Sequence, residues 1–252
     1  MIDLTGKSLI ITGAASGMGR ATALLAAELG ARLTLGDRTE EAGAQVVEEI
    51  RASGGDAQFV RCDVTDEGDV EALVAAAVGR FGKLDGAFNN AGRPNIGKVL
   101  HELTWADMEQ VYAVNVKGVF LCLKYEIPEL LKAGGGSIVN TASASSVIAF
   151  PDAADYVSSK HAVLGLTRAA ALDYAQRNIR VNCIMPGTVM TPMLEGLFES
   201  APDTKTFLES RIPMGRLARP EEMADSVVWM LSGRASYLTG AAISVDGGYT
   251  TT

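Results

Sequence analysis

Seven short runs rich in Val, Ile and Leu alternate with longer stretches that carry Ala and Leu at helical spacing. The runs are SLIIT (8–12), RLTLG (32–36), AQFVRC (57–62), LDGAFNN (84–90), SIVNTA (137–142), IRVNCIM (179–185) and AAISV (241–245). A short run that is apolar on both sides reads as a strand buried on both faces. Such strands pair in parallel when helices carry the chain back across the sheet. The pattern therefore specifies an α/β fold: a doubly wound, seven-stranded parallel sheet with helices on both faces. Helical spacing is clear at 17–30, 40–53, 67–81, 104–132, 154–176 and 220–232. Pro128 lies in the fourth of these and is expected to disturb it near its end. No repeat, low-complexity tract or linker divides residues 1–252, so one domain is expected. The connection at 186–219 breaks the rhythm and reads as a lid or substrate loop.

Charge narrows the partners. The 252 residues carry a net charge of −8 with no basic run, a field that repels nucleic acid and anionic membrane surfaces. No apolar stretch reaches membrane-spanning length and no basic leader opens the chain, so a cytoplasmic protein is expected. Cys62, Cys122 and Cys183 are isolated in apolar segments and read as buried thiols. With His101 and His161 the only histidines, no common zinc site can be assembled, and no metal is expected.

The first strand runs directly into TGAASGMG and then an Ala/Leu helix. Gly13, Gly17 and Gly19 let the backbone turn tightly and approach a pyrophosphate, which Ser16, Met18 and the free amides at the helix start would hold. This is the turn of a Rossmann-type nucleotide site, spaced GxxxGxG. Asp37 ends the second strand, where an acidic side chain accepts hydrogen bonds from an adenosine ribose; it could also cap the next helix. Its charge opposes a 2′-phosphate and favours NAD, although adjacent Arg38 leaves NADP open. Asp63 and Val64 follow the third strand, a resting place for adenine. Asn90, Ala91 and Gly92, in the NNAG that ends the fourth, allow close approach of a ribose and nicotinamide.

In YVSSK, Tyr156 and Lys160 are four apart and so share one helix face. An ammonium about 4 Å from the phenol, at an effective dielectric near 20, would favour phenolate by roughly 4 kcal/mol, or about three pK units. The phenol could then exchange a proton with a substrate oxygen. Ser143, at the end of the fifth strand, could hydrogen-bond that oxygen as charge develops. Asn115, in AVNVKG, would face the same region from the long helix before it.

These motifs, in this order and spacing, resemble the short-chain dehydrogenase/reductase family over nearly the whole chain. The resemblance implies Tyr156 as general acid/base and Ser143 as the group that orients and polarises the substrate oxygen. Lys160 would lower the tyrosine pKa and hold the nicotinamide ribose, and Asn115 would position a water in a proton relay. It implies that PGTVMT clamps the nicotinamide carboxamide, with Pro186, Gly187, Val189 and Thr191 at the cofactor. It also implies a homotetramer built partly from the helices at 104–132 and 154–176. FGKLDGAFNNAG and GVFLCLKY are similar to bacterial members that oxidise cyclic alcohols and diols.

The substrate pocket is expected to be walled by Arg93 and Pro94, by Ser145 and Phe150, and by Met190, Met193, Leu194, Leu197, Phe198 and Phe207 of the long loop. That apolar lining suits an uncharged, moderately hydrophobic alcohol or ketone. Two other readings remain at this point. One is a 3-oxoacyl-carrier-protein reductase using NADPH, which Asp37 and the acidic charge disfavour. The other is a non-catalytic nucleotide-binding regulator, which the intact Ser143, Tyr156 and Lys160 disfavour.

Overall fold

Each of the seven runs forms a strand within two residues of its expected ends: β1 (Ser8–Thr12), β2 (Arg32–Asp37), β3 (Asp56–Arg61), β4 (Gly86–Asn89), β5 (Gly136–Thr141), β6 (Ile179–Pro186) and β7 (Ala242–Val245). The structure is a computed structural model that describes residues 1–191, 194, 198 and 202–251. All pairings are parallel, in the order β3-β2-β1-β4-β5-β6-β7. The described helices are α1 (Gly17–Glu28), α2 (Glu40–Ala52), α3 (Glu67–Phe81), α4 (Trp105–Tyr112), α5 (Val119–Lys132), α6 (Ala154–Tyr174), α7 (Pro202–Ser210) and α8 (Pro220–Leu231).

Alternate strand residues feed two separate cores, as the pleat requires. Ile10 and Ile138 join Leu73 of α3, Leu121 of α5 and Val163 of α6 on one face. Leu9, Ile11 and Val139 join Ala23 of α1, Val46 of α2 and Val227 of α8 on the other. Cys62, Cys122 and Cys183 are free and buried, as expected.

Two helical expectations need correction. The single helix over 104–132 is broken into α4 and α5 by a π-helical turn, Ala113–Gly118. Gly118 lies so close to the segment after β3 that a Cβ would stand 2.8 Å from Val64 Cγ2, and the wider turn accommodates that approach. Pro128 does not end its helix, which runs on to Lys132. Pro128 and Lys124, one turn before it, are both exposed, so the carbonyl that loses its N–H partner lies on the hydrated side.

Between α5, α6 and the sheet lies a chain of buried polar groups. Asn89 Nδ2 donates to Glu126 Oε2 (3.1 Å) and to Asn140 Oδ1 (3.0 Å), and Asn140 Nδ2 donates to Thr167 Oγ1 (3.0 Å). Glu126 is 1% exposed, and burial pushes its carboxyl up to about 7, against the pull of the Asn89 bond. The folded protein thus keeps a proton that the unfolded chain releases near 4.5. Stability is fully present below that value and declines as pH rises toward about 7. Glu126→Gln, which stays neutral, is expected to match the wild type at about pH 4 and to exceed it at about pH 8 by up to about 3 kcal/mol. Urea unfolding at both pH values checks this; an equal difference at the two would show that the fold does not raise the Glu126 carboxyl above its unfolded value.

Candidate active site

Strand order reverses at β1. The chain winds outward through β2 and β3 and returns on the other side as β4, so the connections diverge and leave a crevice beyond the carboxyl ends. A cleft of about 710 Å³ fills that place. Asn90 stitches its floor: its N–H donates to Thr12 Oγ1 (3.0 Å), and its Nδ2 donates to the Thr12 and Gly13 carbonyls (3.2 Å each).

The glycine turn is built as expected. Gly13 and Gly17 have φ of 64° and 51°, the left-handed region, and a Cβ on Gly13 would stand 2.9 Å from Asn90 Nδ2. A Cβ on Gly19 would run into the Gly13 carbonyl oxygen, so Gly19 packs beneath the turn while Gly13, Ser16, Gly17 and Met18 line the cleft. The start of α1 has no acidic residue in its first turn and no side-chain cap from Ser16, whereas Asp66 caps α3 and Thr104 caps α4. Free amides at a helix N-terminus suit a pyrophosphate.

Asp37 lies at the cleft and also braces the backbone on both sides of it. Oδ2 accepts the Ala15 N–H (3.0 Å) and braces the glycine turn, Oδ1 accepts the N–H of Thr39 at the start of α2 (2.9 Å), and the residue lines the cleft beside Arg38. Asp63, Val64, Asn90, Ala91, Gly92, Pro186, Gly187, Val189 and Thr191 also line it. These residues fit a nicotinamide dinucleotide along their whole length.

At the far end, Ser143, Tyr156 and Lys160 come together on the cleft wall. The Ser146 hydroxyl ties them, accepting from the Ser143 N–H (3.3 Å) and donating to the Lys160 carbonyl (2.8 Å). Ser143 Oγ hydrogen-bonds Ser145 Oγ at 3.1 Å and accepts the Ser145 N–H at 3.1 Å. Lys160 is 3% exposed, and its Nζ donates to the Thr141 carbonyl at 2.8 Å and lies 5.6 Å from the centre of the Tyr156 ring.

The electrostatic expectation for Tyr156 is corrected. Burial raises the phenol above its ordinary value, with the neighbouring Ser143 hydroxyl working in the opposite direction. Burial also brings the pKa of Lys160 down to about 8.

Asn115 stands beside the cleft wall at Gly92, where a Cβ would lie 3.6 Å from its Oδ1 and 3.7 Å from Lys160 Nζ. It sits in the π-turn, wholly buried and off the cleft lining, with Oδ1 accepting the Arg93 N–H (2.8 Å) and Nδ2 donating to the Arg93 carbonyl (3.0 Å) and Ser159 Oγ (3.1 Å). Both amide hydrogens are therefore used within the protein.

Of the expected substrate wall, Arg93 and Pro94 line the cleft, and Arg93 donates to Gln110 Oε1 (2.9 Å). Ser145 is buried behind Ser143; Phe150, Met190, Leu194, Phe198 and Phe207 are not among the described residues that line it. Met193 and Leu197 lie outside the described residues. Sequence reading missed Asn95, Cys62, Val114 and the Thr141 carbonyl. It also missed Ser146, whose one signal was the density of serine after β5.

A family model described as "Enoyl-(Acyl carrier protein) reductase" matches residues 13–250. A 2,5-dichloro-2,5-cyclohexadiene-1,4-diol dehydrogenase of Sphingobium indicum is 47% identical, over 99% of each chain. A cyclohexanol dehydrogenase of Acinetobacter sp. is 43% identical, over 97% of this chain and 95% of its own. The crystal structure of levodione reductase superposes with a TM-score of 0.93 at 35% identity, over 99% of each chain. With sequence and fold shared over nearly all of both chains, this protein belongs to the short-chain dehydrogenase/reductase family, oxidoreductases that act with a nicotinamide cofactor.

Proposed function

We propose that the protein is an NAD-dependent dehydrogenase of cyclic secondary alcohols, reversible toward the ketone. The observation that carries this is the meeting of the Ser143 hydroxyl, the Tyr156 phenol and the Lys160 ammonium at one end of a cleft whose other end begins at the uncapped α1 and Asp37. The cyclic substrate is supported by the printed activities of the Sphingobium and Acinetobacter relatives. NAD is supported by Asp37, whose carboxylate would oppose a 2′-phosphate. A homotetramer is supported by Phe120 on α5 and Leu172 on α6, large apolar side chains exposed on two neighbouring helices.

NAD, when bound, supplies the hydride acceptor and, in its oxidised form, a positive charge. The chain's own residues manage the proton. Tyr156 Oη takes the proton of the alcohol hydroxyl as the carbinol C–H bond breaks, and returns it in the reverse direction. Ser143 Oγ hydrogen-bonds the same oxygen, which holds the carbinol carbon in place and stabilises charge on the oxygen. Lys160 supplies the cation that favours phenolate, and Asn115 holds the Arg93 strip rather than the reacting atoms.

Three outcomes follow. Tyr156→Phe is expected to lose about 10³-fold in kcat for cyclohexanol while NADH binding, followed by fluorescence, is retained; a variant with most of its turnover would remove Tyr156 from the proton path. Because burial raises the phenol, alcohol oxidation is expected to gain rate as pH rises above neutrality. Lys160→Met should push that rise to higher pH and cost about 10²-fold at pH 7, so an unmoved profile would count against Lys160 as the supporting cation. Asp37→Ser is expected to raise the NADP/NAD ratio of kcat/KM at least about tenfold by removing a charge at the ribose. Paired assays at 340 nm read that ratio, and a wild type active only with NADP would overturn the NAD assignment.

A further inference from the structure

The strip after NNAG that walls the cleft, Arg93, Pro94 and Asn95, has no regular secondary structure and is held by side chains. Asn115 grips its start through Arg93. Its far end is held by Asp155, which stands outside the Ser143, Tyr156 and Lys160 set. Asp155 is 1% exposed and divides its oxygens: Oδ2 accepts the Ile96 N–H at 2.8 Å, and Oδ1 accepts the Tyr156 N–H at 2.8 Å. A second tie joins the same two segments, with Asn95 Nδ2 donating to the carbonyl of Asp152 at 2.9 Å, where the chain turns through a φ of 58°. One carboxylate thus links the substrate-side wall to the first turn of α6, which carries Tyr156.

The chemistry of the side chain explains why aspartate stands here. A buried carboxylate is costly unless its oxygens are met; two N–H groups and a place in the first turn of a helix meet this one. Asparagine would offer one acceptor oxygen and turn a donor toward an N–H. Starting α6 requires acceptors for the helix's own amides, and the bond to Ile96 in another segment goes beyond that.

We infer that Asp155 is a positioning residue that couples the substrate wall to Tyr156, so that the wall and the phenol keep a fixed relation as an alcohol enters. This rests on the acid/base role proposed for Tyr156. The test compares wild type, Asp155→Asn and the milder Asn95→Ala by amide hydrogen exchange across 92–99, by NADH titration, by thermal unfolding and by steady-state kinetics with cyclohexanol. In Asp155→Asn, exchange across 92–99 is expected to quicken and the alcohol KM to rise, each about tenfold, with the NADH Kd within about twofold of wild type. Asn95→Ala should move both in the same direction by less, and it carries the test alone if Asp155→Asn does not fold. A residue that merely stabilised the helix would lower the melting temperature and the active fraction without moving KM. Unchanged exchange at 92–99, or an unchanged KM, overturns the coupling. If the wild type oxidises no cyclic alcohol, the proposed function fails instead, and exchange at 92–99 alone decides whether Asp155 clamps the strip.

Discussion

Everything at the site depends on the reversal of strand order at β1. A parallel sheet sends the carboxyl ends of all its strands the same way, and the β1–β4 junction is where the crossovers separate and leave room. The gap could not persist if the backbone at its floor lacked partners. Asn90 supplies them by bridging β4 to the last residue of β1 and the first glycine of the turn. Gly13 can approach Asn90 so closely only because it has no side chain. The uncapped start of α1 and the braced Asp37 adjoin that seam, and Thr141, whose carbonyl accepts from Lys160, reaches Asn90 Oδ1 with its hydroxyl.

The corner where Ser143, Tyr156 and Lys160 meet is held mostly by bonds from side chains to backbone. Ser146 joins the Ser143 turn to α6, Asn115 joins the π-turn to the Arg93 strip, and Lys160 reaches across to the Thr141 carbonyl. Each bond spans two elements, so the relative placement of β5, α6 and the π-turn is over-determined. A site that needs its reacting groups held to a fraction of an ångström gains more from such ties than from further apolar packing.

The sheet was legible because buried parallel strands announce themselves as apolar runs, and the site because its residues sit at the ends of those runs. Asp37, Ser143 and the Tyr156/Lys160 pair could be placed by element and face alone. Distances between elements could not. The spacing of YVSSK puts a lysine on the tyrosine's face but does not say that it will turn to the Thr141 carbonyl. Helical periodicity over 104–132 is continuous, because a π-turn adds one residue without altering the apolar face enough to show. Pro128 misled for a related reason: a proline on the hydrated side of a helix that packs well on its other face does not end it. Asp155 had a signal, an acid in the first turn of a helix, but nothing in the pattern tells an ordinary cap from a tie to a distant strip.

Burial acts in opposite directions on two titratable groups of this fold. Under the sheet it keeps Glu126 protonated to about 7, and the carboxyl is met by the amide of Asn89 in a buried polar chain. At the cleft it lowers Lys160 to about 8, yet that ammonium has three N–H bonds and gives one to Thr141. A buried ammonium with donors to spare is costly unless something else accepts from it. Hydroxyl and phenolate oxygens would be acceptors of that kind. The same burial raises the Tyr156 phenol and weakens the hold on the Lys160 proton, which moves the two groups apart from their nearly equal values in water. Each shift comes from the loss of water around a charge, so an acceptor for the Lys160 N–H bonds would raise the lysine again, and the restored cation would draw the phenol down.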